Sequence, residues 1–437
     1  MILQAPLVEL PTEQLPDPWF PSDMPRVRHT RLRRRMLVGT WREDLRETVQ
    51  KEVGGLRREA WGEPDTHSNV FRSACQSLAT LYDVQGTIEA EDQVSADVVS
   101  AALEEAGFWQ MMQRLERDCI GMREMLMVPE VVTDGEGRRL LLRTVNPDCV
   151  SAIADPSEPD EPIVLVETCE RDGAWGYDYW DVRDPAAPFF MRYDRNKKFV
   201  EGSTIAGEAY TWRVGGRPFI PHVLYHAARS GQLWDAFEGV ELVEGTLRLG
   251  VHYTFYGHCL RNASWPQRVI VNGRLAGAST TGEGETQVRP QVTTDPSTVL
   301  MVEGYEDAAS NGGVMVTQWE ISSDPAAMLE SIQAYERSLY AMAGLSPADA
   351  QRVAGDPRSG FALAINKENQ VADQRRYAPV FRRGDAELCE RVGALFGLAP
   401  VDYRVKYGFE LAAEAVIQAP TAPPSPEQQA QQSQENA

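Results

Sequence analysis

Residues 324–345 (DPAAMLESIQAYERSLYAMAGL), 346–360 (SPADAQRVAGDPRSG) and 361–397 (FALAINKENQVADQRRYAPVFRRGDAELCERVGALFG) decide how this chain is read. The first and third segments read as long helices. The middle one, with Gly344 just ahead of it, carries Pro347, Gly355, Pro357 and Gly360, residues that end helices and allow a turn. Two long helices joined by a polar, breaker-rich loop are poor material for an active site. They suit a packed ring element that presents a loop to something passing by.

Upstream, residues 265–323 turn to strand and turn character: QRVIVNGRL holds an Asn-Gly turn signal, ASTTGEGETQ is polar, and STVLMVEGY and GGVMVTQWEI are apolar runs. Ahead of this β insertion, residues 237–263 read as another long helix containing Gly239, Gly245, Gly250 and Gly257. Each interior glycine costs about 1 kcal/mol relative to alanine. Four of them call either for close approach of neighbouring helices or for a break in the helix. Residues 138–215 alternate short β-rich runs (RLLLRTV, CVSAIA, PIVLVETCE, WGYDYWDV, FFMRYD, EAYTWRV) with Asn-Pro, Asp-Pro and Gly signals. Residues 40–130 read as mostly helical, with Val70, Ala74, Leu78 and Leu81 on one face. Residues 1–25, with six prolines, read as an extended arm, and the Pro/Gln/Ser-rich 419–437 as disordered. The basic run RVRHTRLRRR after the arm reads either as a phosphate-contacting patch, or as a solvated first helix turn or an ion-paired subunit contact, since Glu43, Asp44 and Glu47 follow.

The net charge of −21 argues against a tight, static nucleic-acid binder, which needs a basic face to neutralise phosphates. An acidic surface would repel DNA, as suits a conduit that must not stick; simple solubility is the plainer explanation. Of 43 basic residues only Lys51, Lys197, Lys198, Lys367 and Lys406 are lysine. Six scattered cysteines without a CxxC exclude a zinc ribbon and point to reduced thiols. No apolar run approaches the roughly 18 residues of a membrane span, so a soluble protein made in the cytoplasm is expected.

Catalysis has no visible seat. There is no Gly-Lys dipeptide, so no Walker-type phosphate loop, and no GxSxG elbow. Asp160, Glu167 and Glu170 are the nearest approach to a metal-nuclease cluster, without its lysine. His222/His226 and His252/His258 lack helical metal-ligand spacing or setting, and read as core or interface histidines. No cofactor or metal is expected.

Across roughly residues 40–400 the order of parts resembles the portal proteins of tailed double-stranded DNA bacteriophages. TVNPDCVSAIADPSEPDEP resembles the strand–Asn/Asp-Pro–strand segment of their wing domain. VLYHAARSGQLWDAF resembles the segment entering the stem, with Tyr225, His226, Gly231 and Trp234 present, although WDAFEG replaces the family's Gly-Ser-Pro. YAMAGLSP resembles the end of the second stem helix, and Pro379 falls inside the long helix that follows. The Arg-rich, Lys-poor composition is open to two readings, a long-tailed phage of a thermophilic host or simply the base composition of the genome.

The resemblance implies an α+β subunit: an extended arm at 1–25, a wing at 26–236, a first stem helix at 237–264, a β-rich clip at 265–323 and a second stem helix at 324–343. A tunnel loop at 344–360, a long kinked helix at 361–384, a helical crown at 385–418 and a tail at 419–437 complete it. It implies a non-enzymatic ring of about twelve copies at one capsid vertex of the virion, formally 12 × (−21) = −252 in charge. Double-stranded DNA would pass through without sequence specificity, driven by a separate terminase large subunit. The ring would also nucleate assembly with the major capsid or scaffolding protein and dock a head–tail adaptor. Ser346, Gln351, Arg352, Val353 and Arg358 are then expected to face DNA, and Glu283, Glu285, Glu303 and Glu306 to face partners. Another head–tail component, or a metal-dependent nuclease, is the alternative.

Overall fold

The computed structural model describes residues 16–52, 63–134, 137–171, 173–200, 210–264, 267–271, 300–302, 315–319, 324–345 and 360–418. The architecture is α+β, and the chain divides into two units assembled from separated stretches. Residues 1–38, 72–238 and 351–437 make the first; 39–71 and 239–350 make the second.

In the first unit, helices α1 (Met24–Val38), α4 (Gln93–Glu105) and α5 (Phe108–Met122) accompany four antiparallel sheets among the described residues. Strands β4 (Val150–Ala154), β5 (Pro162–Arg171), β6 (Ala174–Asp181) and β7 (Phe189–Asp194) form a meander in sequence order. Successive side chains on a strand point to opposite faces, and the apolar run of β5 uses both. Val164 and Val166 join Tyr177 on one face, while Leu165 joins Trp180 and Phe190 on the other. A second sheet orders β10 (Val223–His226), β2 (Glu124–Asp134) and β3 (Gly137–Val145). β1 (Thr87–Ala90) pairs with β14 (Tyr403–Lys406), and the short β8 (Arg213–Val214) with β9 (Arg217–Pro218).

The long helix α8 (Gly360–Phe396) is 37 residues, about 55 Å at 1.5 Å per residue. It runs unbroken past residue 384, where the wing helix and crown were expected to divide, and the short α9 (Gly408–Gln418) follows β14. Gln374, Tyr377, Ala378, Phe381, Asp385, Leu388, Cys389 and Val392 are its buried stripe, spaced at three, four and seven residues. Pro379, which cannot donate the usual backbone hydrogen bond, is on the exposed side, where water reaches the freed carbonyl.

The second unit holds α2 (Arg42–Glu52), α6 (Val240–Ser264), α7 (Pro325–Met342) and a three-stranded sheet. In that sheet β11 (Gln267–Val271) pairs parallel to β12 (Leu300–Val302) and antiparallel to β13 (Met315–Trp319). Val70, from α3 (Val70–Leu78), packs with Leu249, Tyr253, Ile332 and Leu339 where α6 meets α7.

The glycines of α6 divide by role. A Cβ on Gly245 would lie 2.4 Å from Leu339 Cδ2, and one on Gly250 would lie 2.8 Å from Leu45 Cδ2, so both permit close helix approach. Gly257 has nothing within 4 Å of a built Cβ among the described residues. Gly239, expected inside the helix, precedes it at φ +68°, a conformation that favours glycine.

Candidate functional site

The residues expected to meet DNA (Ser346, Gln351, Arg352, Val353, Arg358) and partners (Glu283, Glu285, Glu303, Glu306) lie outside the described residues. The structure does describe how the chain enters and leaves the 346–359 segment. α7 starts on Asp324, whose carboxylate accepts from Ala326 N at 2.9 Å with Pro325 at the first helical position. It ends in a Schellman cap: Leu345 N donates to Tyr340 O (3.0 Å), Gly344 N to Ala341 O (3.0 Å), Gly344 has φ +80°, and Leu345 is buried. The near end of the segment is therefore held firmly. The far end continues into α8.

Polar side chains fasten α8. Gln374 donates to Thr80 O at 2.8 Å, and Gln370 to Asp83 Oδ2 at 3.3 Å. Asp385, fully buried, accepts from three phenols: Tyr82 at 2.7 Å, Tyr407 at 2.9 Å and Tyr225 at 3.2 Å. Burial outweighs those bonds and raises its carboxyl to about 7. From α5, the buried Glu116 accepts the backbone N–H groups of Thr80, Leu81 and Tyr82 at 3.0–3.4 Å, and burial raises it to about 8. Further along α8, Arg382 donates to Glu410 at 2.6 Å, and Arg383 to Asp160 at 2.7 Å and Glu161 at 2.8 Å.

Glu116 and Asp385 were absent from the sequence reading, yet each carries a signal. Asp385 interrupts the apolar stripe Phe381–Leu388–Val392, and Glu116 follows Phe108 and Met112 at helical spacing.

The nuclease alternative loses its cluster. Asp160 is bonded to Arg383, as above, and to Arg229 at 3.2 Å. Glu167 pairs with Arg143 and accepts from His222 Nε2 at 2.8 Å. Burial alone would raise the Glu167 carboxyl, but His222 and Arg143 prevail and lower it to about 2. Glu170, three residues along the same strand, faces the other way and is exposed. No group of three or more potential metal ligands exists among the described residues.

The basic run is helix α1 with several arginines turned inward, not an open phosphate patch. Arg26 donates to Pro147 O at 2.8 Å and to Val150 O; Arg33 donates to Gly121 O at 2.8 Å and to Glu238 O. Arg34 pairs with Asp148 at 3.2 Å. Guanidinium groups suit this use because each carries five donors in a fixed plane.

The arm is likewise shorter than expected. A 3-10 turn forms at Pro21–Asp23 and α1 starts at Met24. Trp19 lies against Tyr193, Tyr177 and Tyr179 with ring centroids 4.9, 5.3 and 5.7 Å away. Tyr177 OH donates to Asp17 O at 2.9 Å, and Lys197 Nζ to Trp19 O at 2.9 Å. The last residues of the arm thus dock on the β5–β7 face of the same chain.

Among the described residues no helix is long and apolar enough to cross a membrane. No family model matches the chain, and no curated protein matches it. Among solved structures, one match is the neck of an empty gene transfer agent particle computed with C6 symmetry: TM-score 0.43, 15% identity, 82% of this chain and 88% of the other. The virion of the native gene transfer agent particle matches at TM-score 0.42 and 15% identity, over 82% and 87%. The neck of the native particle computed with C12 symmetry matches at TM-score 0.42 and 14% identity, over 83% and 89%. Likenesses this distant assign no function to this chain.

Proposed function

We propose that this chain is a portal-type subunit of the head–tail connector of a tailed phage or phage-like particle, a non-enzymatic ring through which double-stranded DNA is packaged and later leaves. The observation that carries this reading is the serial order of elements. α6 of 25 residues, the β11–β13 sheet, α7 of 18 residues packed on α6, the 346–359 segment and α8 of 37 residues follow one another. A β unit between two packed long helices, then a breaker-rich segment leading into a longer helix, is the arrangement expected of stem, clip, stem, tunnel loop and wing helix. On this reading the terminase large subunit, a head–tail adaptor and the capsid or scaffolding protein are the partners, and 346–359 meets the DNA. The exposed Glu238, Glu241 and Glu244 near the start of α6 fit a surface that DNA slides past.

Native mass spectrometry of the purified chain tests the reading. A subunit of 48.7 kDa assembles to 12 × 48.7, about 584 kDa, as a dodecamer. A discrete species of twelve or thirteen copies is the expected result. A stable monomer or dimer at every concentration overturns it. Deletion of 346–359 is expected to leave the ring intact and to abolish packaging; loss of the ring would make the segment structural instead.

A further inference from the structure

Two buried carboxyls grip one turn from two helices. Glu116 of α5 accepts N–H groups of Thr80, Leu81 and Tyr82, and Asp385 of α8 accepts the hydroxyl of the same Tyr82. Two amides complete the hold: Gln374 of α8 donates to Thr80 O, and Gln113 of α5 to Tyr82 O at 3.0 Å. We infer that Glu116 and Asp385 form a proton-loaded clasp that fixes α8 to the Thr80–Tyr82 turn and tightens as protons are taken up.

The inference goes beyond the proposed function and stands whether or not the chain forms a ring. Neither carboxyl has an arginine or lysine within ion-pair distance among the described residues; Arg382, engaged with Glu410 at 2.6 Å, offsets the burial of Asp385 only in part. An ionised Asp385 only accepts and takes all three phenols. A neutral one carries its own O–H, so one phenol reverses from donor to acceptor, which a hydroxyl can do without leaving. For Glu116, the Thr80 hydroxyl is buried and has no hydrogen-bond partner among the described residues, which leaves a neighbouring acceptor for an added proton.

The titratable and charged groups facing the pair are Tyr82 and Asp83 of the turn, Tyr225 of β10, and Tyr407 after β14. Cys119 of α5, and Arg382 and Cys389 of α8, complete the set. Burial holds Glu116 near 8 and Asp385 near 7, both above their ordinary 4.5 and 3.8. The folded state therefore binds these protons more tightly than an opened one, and the hold strengthens as pH falls from 8 toward 6.

Hydrogen–deuterium exchange of the full-length chain at pH 8 and pH 6, corrected for intrinsic rates, tests this on peptides spanning 370–392. Asp385 alone is expected to raise protection about tenfold between those pH values, and Asp385→Asn is expected to lose that increment. An equal rise in wild type and variant overturns the clasp. Should the variant fail to fold, infrared spectra of wild type with 13C-labelled aspartate decide it. A protonated carboxyl band is expected at pH 6 that fades by pH 9 and shifts in Tyr225→Phe; its absence at pH 6 overturns the inference.

Discussion

Alanine at Gly257 should stabilise the protein and alanine at Gly245 should not, although both lie on α6. Removing a glycine from a helix interior gains about 1 kcal/mol of helix propensity at either site. At Gly257 nothing described stands within 4 Å of the new methyl, so that gain is expected to appear in full. At Gly245 the methyl would sit 2.4 Å from Leu339 Cδ2 and 3.4 Å from the Tyr335 hydroxyl. Leu339 is 1% exposed and packed among Val70, Leu249, Tyr253 and Ile332, so its side chain has no open space to turn into. Overpacking of this kind costs about 1–3 kcal/mol, which leaves Gly245→Ala neutral to about 2 kcal/mol destabilising. The assay is urea unfolding of both variants at fixed protein concentration, followed by tryptophan fluorescence and circular dichroism. A cycle with Leu339→Ala isolates the contact: in that background Gly245→Ala should become stabilising by about 1 kcal/mol, a coupling typical of touching residues. Equal stabilisation by Gly245→Ala and Gly257→Ala in the wild-type background would refute the claim that Gly245 exists for helix approach.

Glu167 contributes stability that is lost in acid. Its carboxyl is held near 2 against an ordinary 4.5, so the contribution is present above about pH 4.5 and disappears as pH falls toward 2. Glu167→Gln should flatten stability across that window in acid-unfolding curves. Arg26→Met removes donors from the Pro147 and Val150 carbonyls and should cost about 2–3 kcal/mol in urea unfolding. The salt dependence of any DNA binding should stay unchanged in that variant, because Arg26 is buried rather than phosphate-facing. Trp19→Ala should release the arm from the β5–β7 face and open a protease site ahead of Met24, read by limited proteolysis and mass spectrometry; an unchanged cleavage pattern would show that the aromatic contacts do not hold it.

The long helices at 240–264, 325–342 and 360–396, the β-rich 138–215 region and the α+β class were legible in the sequence. Each rests on residues close together along the chain: periodic apolar positions, caps and breakers. The glycine count on α6 likewise announced close packing, and Gly245 and Gly250 deliver it. The sequence could not say that Gly239 stands outside the helix, because that depends on how the Asp235–Glu238 turn approaches it. Nor could it say which arginines of the basic run turn inward, since an arginine reads the same whether it meets phosphate, solvent or a buried carbonyl. Arg26 finds its acceptor 121 positions away, and Asp385 meets Tyr82 across 303. Local pattern encodes elements through steric and hydrogen-bond preferences a few residues wide. The burial that turns an arginine into a clamp and a carboxylate into a proton-holding group exists only once distant segments have excluded water around them.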